Sequence, residues 1–163
     1  MESMTQPRAD ELAARLEKGH QKTFEIFSAL TPEQWQQPLY EEPTWQVRNL
    51  LAHFVSAERQ LLALARDVAG GGPGAPPDLD IDRFNASEQR RLEGQFPPDL
   101  LALLEQERRQ TIEWVRTLGD DQLNQVGRHP VLGQVSVEVM LTAIYGHQLL
   151  HMRELARHLG SDV

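Results

Sequence analysis

Apolar residues recur every three or four positions in four long segments of the chain, a spacing that places them on one face of an α-helix. The segments cover about residues 9–30, 47–68, 98–119 and 136–160. The second has the most regular apolar face, and glycine or proline lies at the ends of most of them. We therefore predict four amphipathic helices of similar length.

The residues that flank these segments predict how the helices begin. Thr31 and Gln34 have the spacing of a capping box, which predicts a short extra turn of helix after the first long one. Pro43 disfavours helix at the residue before it, and Thr44 is the predicted cap of the second helix. Ser136 is the predicted cap of the last helix.

The longest connection contains "GGGPGAPPD", within residues 70–80, where glycine and proline disfavour regular structure. We interpret it as a surface crossover and not as a domain boundary, followed by a short irregular helix in "DIDRFNASEQRRLEGQF". Strand-like alternation is almost absent outside "VLGQVSV". A chain of 163 residues, 40% of them hydrophobic, can build one sizeable core. The prediction is all-α: a single domain, residues 1–163, folded as an up-and-down-type four-helix bundle with short extra helices in the connections.

Charge and composition exclude several function classes. The formal net charge is −8 and the 16 basic residues are scattered, which argues against a nucleic-acid surface. Because the chain has no cysteine, thiol chemistry would need an external thiol. The N-terminal stretch lacks the apolar core of a signal peptide, and no apolar run approaches the roughly 20 residues of a membrane-spanning helix. We expect a cytoplasmic protein without a membrane partner.

Two histidines in "AIYGHQLLHMREL" are the first candidates for chemistry. His147 and His151 are four positions apart, so a helix stacks their imidazoles closely enough to bind one ion. His53, on the flank of the second helix's apolar face, is a candidate third ligand. Such pairs also occur as ordinary, partly exposed positions, and the spacing alone does not favour a metal. Gln148 replaces the glutamate of the zinc-protease motif and argues against that activity.

The other histidines are poorer candidates. His158 lies near a helix C-terminus, where a protonated imidazole is stabilised by solvent and the helix dipole. His129 precedes Pro130 in a polar loop, and His20 lies on the first helix.

No general base can be assigned from the sequence. Glu154 is three residues after His151 and could orient its ring, although a surface salt bridge is the favoured interpretation. Asn85 could face a pocket, but the favoured interpretation is a local turn or cap residue. The remaining candidate bases are Glu58, Asp82 and Tyr145. The tryptophans are interpreted as packing residues; they are Trp35, Trp45 and Trp114.

The order of several segments resembles a known family. "TWQVRNLLAHFVSAE", then "DRFNASEQRR", "GQVSVEVML" and "GHQLLHMRELARHLG", are similar to the DinB/YfiT-like superfamily of metal-dependent four-helix-bundle enzymes, over nearly the whole chain. The resemblance implies a divalent metal held by one histidine of the second helix and two of the last. These positions correspond to His53, His147 and His151.

Two functional hypotheses follow. Three neutral imidazoles leave open positions on Zn, Ni or Fe for water or substrate. The resemblance implies a thiol-dependent transferase that uses a low-molecular-weight thiol, and a hydrolase that uses metal-activated water is an equal possibility. Either enzyme would act on a small electrophile. The chain is also expected to form a homodimer. The alternative is a non-catalytic helical bundle that binds a small ligand or a partner helix.

Overall fold

The computed structural model of the chain describes residues 6–160, so the ends of the predicted domain, residues 1–5 and 161–163, lie outside the described part. The helices are α1 (Pro7–Ser28), α2 (Pro32–Trp35), α3 (Val47–Ala69), α4 (Ile81–Arg91), α5 (Pro97–Val115), α6 (Asp120–Leu123) and α7 (Val137–His158). The strands are β1 (Pro38–Tyr40), β2 (Trp45–Gln46), β3 (Val126–His129) and β4 (Gly133–Ser136). The long helices α1, α3, α5 and α7 correspond to the predicted segments. Among the described residues, no helix has the length and apolar character needed to cross a membrane.

The long helices form a bundle in which α1 and α3 each pack against α5 and α7. Consecutive long helices α1 and α3 therefore lie at opposite corners. Arg8, near the start of α1, bonds to Glu138, near the start of α7, so these two helices run parallel. Arg48, near the start of α3, donates to the carbonyl of Gln95, just before α5, so α3 and α5 also run parallel.

The first and third long helices run in opposite directions. Arg109 of α5 pairs with Glu17 of α1, and Glu105, one turn earlier on α5, contacts His20, one turn later on α1. The helices therefore run up, down, down and up in chain order. The predicted all-α four-helix bundle is confirmed. Its helices follow this up, down, down, up order and do not alternate in direction along the chain. The parallel pair α3 and α5 needs a long return connection, and the crossover after α3 with α4 provides it.

Two of the predicted helix caps are present. Thr31 accepts a hydrogen bond from the Gln34 backbone N–H at 3.2 Å, and the Gln34 side chain accepts one from the Thr31 N–H at 2.9 Å. Ser136 Oγ accepts from the Val139 N–H at 3.2 Å. Side-chain oxygens therefore satisfy backbone donors that the first helical turn leaves free.

The predicted cap at Thr44 is wrong. The helix α3 begins at Val47 after Gln46, whose backbone N–H donates to Asn49 Oδ1 at 2.8 Å. Thr44 instead donates to the Glu41 carbonyl within a turn. The reason is a β-hairpin that occupies the chain up to the first residue of α3.

Two antiparallel hairpins were not predicted. The strands β1 and β2 pair directly before α3, and β3 and β4 pair directly before α7. Each strand has two to four residues, too short for alternation to predict a strand, although β4 lies within "VLGQVSV", where some alternation is present. The turn between β3 and β4 ends at Gly133, whose φ of +76° suits glycine. Each hairpin delivers the chain to the start of a helix that contributes a histidine of the candidate metal site.

The buried apolar side chains form two clusters, one toward each end of the bundle. On α3 and α5, the clusters are separated by the buried polar residues Glu58, Arg108 and Thr111. Arg108 donates to both oxygens of Glu58, at 2.7 and 3.0 Å, and to the Leu16 carbonyl at 2.8 Å. Thr111 donates to Glu58 at 2.8 Å. This network compensates the cost of burying the two charges and links α1, α3 and α5.

Arg108→Ala should lower the free energy of unfolding by about 3–5 kcal/mol, because it leaves the Glu58 carboxylate buried without its cation. Arg109→Ala removes the adjacent, 44% exposed arginine from its pair with Glu17 and should cost less than about 1 kcal/mol. The double variant Glu58→Leu with Arg108→Leu should be more stable than Arg108→Ala. Urea unfolding followed by circular dichroism measures all three. Equal losses for Arg108→Ala and Arg109→Ala would contradict the proposed role of the network.

Candidate metal centre

Three imidazole nitrogens converge between α3 and α7. His53 lies on α3, and His147 and His151 lie one turn apart on α7. His53 Nε2 lies 3.2 Å from His147 Nε2, and His151 Nε2 lies 3.1 Å from the same atom. One ligand atom of each residue lies within 4.8 Å of the others. The structure therefore brings together the three residues singled out in the sequence.

The spacing of these nitrogens fits a single cation. With metal–nitrogen bonds of about 2.0–2.1 Å, neighbouring nitrogens are separated by roughly 2.8–3.0 Å in octahedral geometry and roughly 3.3–3.4 Å in tetrahedral geometry. The two measured separations, 3.1 and 3.2 Å, lie between these values, so either geometry needs only a small shift of the rings. Hydrogen bonding alone does not satisfy the group, because a neutral His147 Nε2 can donate one proton or accept with one lone pair, and it faces two rings. A cation would satisfy all three lone pairs together.

The protonation state of the rings suits a metal ligand. Burial is the main cause that lowers the pKa of His53 to about 3 and of His147 to about 4, and the neighbouring imidazoles lower both further. Burial also lowers the pKa of His151, while Glu154 opposes this shift. All three rings are therefore neutral near pH 7, and neutral imidazole is the form that coordinates a metal.

The second nitrogen of His151 has its own partners. The Tyr40 hydroxyl lies 2.8 Å from His151 Nδ1 and also donates to Glu154, whose carboxylate lies 3.5 Å from the same nitrogen. Because the Tyr40 proton is directed at the carboxylate, the hydroxyl oxygen accepts from Nδ1–H. This places the lone pair of His151 on Nε2, toward the other imidazoles. The interpretation of Glu154 as a surface salt-bridge residue is therefore corrected.

Tyr40 had no recognisable pattern in the sequence. It lies in the short strand β1, far along the chain from α7, and the first hairpin brings it against Glu154. Burial and the Glu154 carboxylate raise the pKa of the Tyr40 hydroxyl, so it stays protonated and acts as a donor.

A cavity of about 790 Å³ lies next to the three histidines. Its walls come from α3, α4, α7 and both hairpins. Asn85 and Trp45 line it, and the Trp45 ring centre lies 5.2 Å from that of His53, so the interpretations of these two as a turn residue and a packing residue are corrected. The other tryptophans pack against the apolar clusters as predicted; they are Trp35 and Trp114.

The other candidate bases have different surroundings. Glu58 is paired with Arg108 inside the bundle, and the Tyr145 hydroxyl accepts from Arg15 on the α1 side. Asp82 lies in the first turn of α4 and is not among the described residues that line the cavity. Of the four, Glu154 alone contacts a histidine of the candidate centre within the described part of the chain.

The remaining histidines do not join this group. His20 contacts Glu105 between α1 and α5, and His158 is exposed at the end of α7. His129 is buried, lines the cavity and accepts from the backbone N–H groups of Val131 and Leu132 at 3.1 Å each. The interpretation of His129 as a polar loop residue is therefore corrected. The sequence pattern that could have indicated its role is a histidine directly before a proline, with a glycine three residues after that proline, which is typical of a hairpin turn.

The bundle and its three converging imidazoles define a helical protein with a candidate metal centre on the α3–α7 interface. The chain belongs to the DinB superfamily, whose family model matches residues 15–155. No curated protein sequence matches the chain significantly.

Solved structures share the fold at low sequence identity. YfiT from Bacillus subtilis, "a probable metal-dependent hydrolase with an unusual four-helix bundle topology", is 21% identical, with a TM-score of 0.76 over 99% of this chain and 93% of that one. The mycothiol-dependent maleylpyruvate isomerase is 16% identical, with a TM-score of 0.74 over 90% of this chain and 60% of that one. The colibactin self-resistance protein ClbS, in complex with double-stranded DNA, is 18% identical, with a TM-score of 0.68 over 94% and 97%. At these identities the likeness shows the fold alone.

His129→Ala should increase amide hydrogen exchange at Val131 and Leu132 several-fold, because both N–H groups lose their acceptor, at a cost of about 1 kcal/mol. Exchange followed by NMR measures it residue by residue. The control is His158→Ala, at an exposed position, which should leave these rates unchanged. Unaltered rates in His129→Ala would show that the ring does not order the hairpin turn.

Proposed function

We propose that this chain is a metal-dependent enzyme in which His53, His147 and His151 bind one divalent cation, and that it acts on a small electrophile. The observation that supports this most is the convergence of three neutral Nε2 atoms beside a cavity large enough for a substrate. When bound, a cation with three imidazole ligands and open positions supplies Lewis acidity and lowers the pKa of a water or thiol there.

The surrounding residues give the histidines fixed geometry. Tyr40 and Glu154 hold the proton of His151 on Nδ1, so its Nε2 lone pair remains available. Trp45 lies beside His53, and both hairpins contribute to the wall of the cavity that the imidazoles face. These contacts hold the ligands in position, which is what a reactive centre requires of its scaffold.

Two reaction classes fit this arrangement. An external thiol could supply the nucleophile, since the chain has no cysteine of its own. Water could supply it equally well, and the descriptions of two structural neighbours, a metal-dependent hydrolase and a mycothiol-dependent isomerase, support one class each. The proposal is therefore a thiol-dependent transferase or a hydrolase, with Zn, Ni or Fe as the cation.

The second candidate function is non-catalytic binding of a small ligand. The size and apolar character of the cavity fit this function as well as they fit an enzyme. In that case the bundle would store or carry a small ligand, and the histidines would only fill polar positions. DNA binding, found in the ClbS complex, is not part of the proposal, because the net charge of −8 opposes a polyanion. The cytoplasmic location and the homodimer stay predictions from the sequence.

Protein purified without an affinity tag should contain close to one Zn, Ni or Fe per chain by elemental analysis. His147→Ala should lose the metal because it removes the central nitrogen of the three, and His158→Ala, on the same helix but exposed, should keep it. Metal-free protein from metal-replete cells would support the non-catalytic role.

The same three proteins should then be tested with a panel of electrophiles, with and without cellular thiols. Turnover that needs a thiol identifies the transferase, and turnover without one identifies the hydrolase. His147→Ala should fall to the background rate, and His158→Ala should match the parent. Equal turnover by His147→Ala would remove the proposed centre from the chemistry.

Tyr40→Phe should weaken metal binding roughly 10- to 100-fold, because it removes the acceptor that orients His151. The matched control is Tyr145→Phe, since Tyr145 contacts Arg15 away from the histidines. Competition with a chromophoric chelator gives both dissociation constants. A Tyr40→Phe protein that binds metal as tightly as the parent would show that the hydroxyl has no part in positioning the ring.

A further inference from the structure

We propose that the cavity beside the three histidines binds a molecule with an uncharged, largely apolar body and a single polar group directed at the imidazoles. The position of that polar group rests on the proposed function, whereas the character of the body follows from the cavity walls. The proposal therefore names the chemical class of the ligand at this site.

The charges around the cavity are the first argument. Within residues 6–160, no lysine or arginine lines it, and its one carboxylate, Glu42, lies at the exposed rim. The other polar side chains include neutral groups, among them Gln60, Asn85 and Thr142. A carboxylate, sulfonate or phosphate on the body of a ligand would lose its hydration there without gaining a cationic side chain as partner, because a cation held by the three histidines would face only the ligand's one polar group. The net charge of −8 adds a general repulsion.

His129 does not change this balance. Its Nδ1 is occupied by the backbone N–H groups of the hairpin turn, and burial lowers the pKa of its ring. The imidazole is therefore neutral near pH 7 and offers a ligand no positive charge.

The apolar rim of the cavity is the second argument. Val131 and Leu132 at the tip of the second hairpin are 74% and 51% exposed, and Val139 and Leu150 of α7 are 42% and 54% exposed. All four line the cavity. Water contacts these side chains when no ligand is bound, so an apolar molecule that covers them gains from the hydrophobic effect.

Gly146 is the third argument. Glycine is less favourable than alanine inside a helix, and it lies here in the interior of α7, next to His147. A Cβ built at this position would have no contact within 4 Å, so close packing does not require glycine. The residue borders the cavity, and its missing side chain leaves space beside the imidazoles. We infer that this space receives the body of the ligand.

A matched pair of fluorescent probes tests the charge preference. N-phenyl-1-naphthylamine is uncharged, and 8-anilinonaphthalene-1-sulfonate has the same ring skeleton with one sulfonate. Fluorescence titration is carried out after a chelator has removed any bound metal, because a cation at the three histidines would attract the sulfonate. The dissociation constant should be at least 10-fold lower for the uncharged probe. Equal affinity for the two probes, or tighter binding of the sulfonate, would overturn the proposal.

Substitutions at two neighbouring leucines test whether the probes bind in this cavity. Leu150→Lys places a cation at the cavity, so it should weaken binding of the uncharged probe and strengthen that of the sulfonate, reducing their affinity ratio about 10-fold. Leu149→Lys makes the same charge change on the next residue, which does not line this cavity, and should leave the ratio unchanged. Gly146→Leu should weaken binding of the uncharged probe by filling part of the space. Insensitivity to both Leu150→Lys and Gly146→Leu would overturn the assignment of the probe to this cavity.

Two further measurements concern the oligomeric state and the metal content of the protein that binds the probes. Light scattering shows whether Leu150→Lys dissociates a dimer; dissociation with unchanged probe binding would make the rim an interface between copies and overturn the proposal. Metal content separates the ligand class from the proposed function. Protein that is purified without metal and prefers the uncharged probe supports the ligand class and contradicts the enzyme. Protein that is purified with metal and, after chelation, lacks the preference does the reverse.

Discussion

Buried polar groups need partners, and in this bundle that requirement sets the relative level of the helices. Glu58 and Arg108 lie between the two apolar clusters on α3 and α5 and form two hydrogen bonds with each other. On α7, His147 and His151 likewise lie between the residues of the two clusters. A shift of α3 by one turn would separate the buried charges and would also move His53 away from the other imidazoles. The network and the candidate metal centre therefore depend on the same helix register.

The sequence was sufficient for the parts of the molecule that follow a helical period. Four apolar faces predicted the bundle, and the spacing of His147 and His151 placed two rings on one side of α7. The contribution of His53 needed either the three-dimensional packing or the family resemblance, because helix spacing cannot show which faces meet. The parallel direction of α3 and α5 was also beyond periodicity, since helices of either direction have the same pattern.

The sequence did not predict the roles of most residues that surround the imidazoles, and the physical reason is the same for each of them. Tyr40, Trp45 and His129 lie in hairpins of very short strands, and Asn85 lies in the helix of the crossover. Their roles come from contacts between segments distant in the chain, such as Tyr40 with Glu154. Local propensity describes turns and caps there, and it does not describe what a turn faces after folding.

The long helices provide the imidazoles and the connections provide much of the cavity wall, which has a consequence for how proteins of this fold diverge. The imidazoles come from the packed long helices α3 and α7, and α3 also carries Glu58 of the buried network, whereas much of the cavity wall comes from α4 and the two hairpins. Such connections tolerate insertions and exchanges better than the packed helices do. Relatives can therefore acquire new ligands by remodelling the crossover while the inherited histidine geometry stays intact.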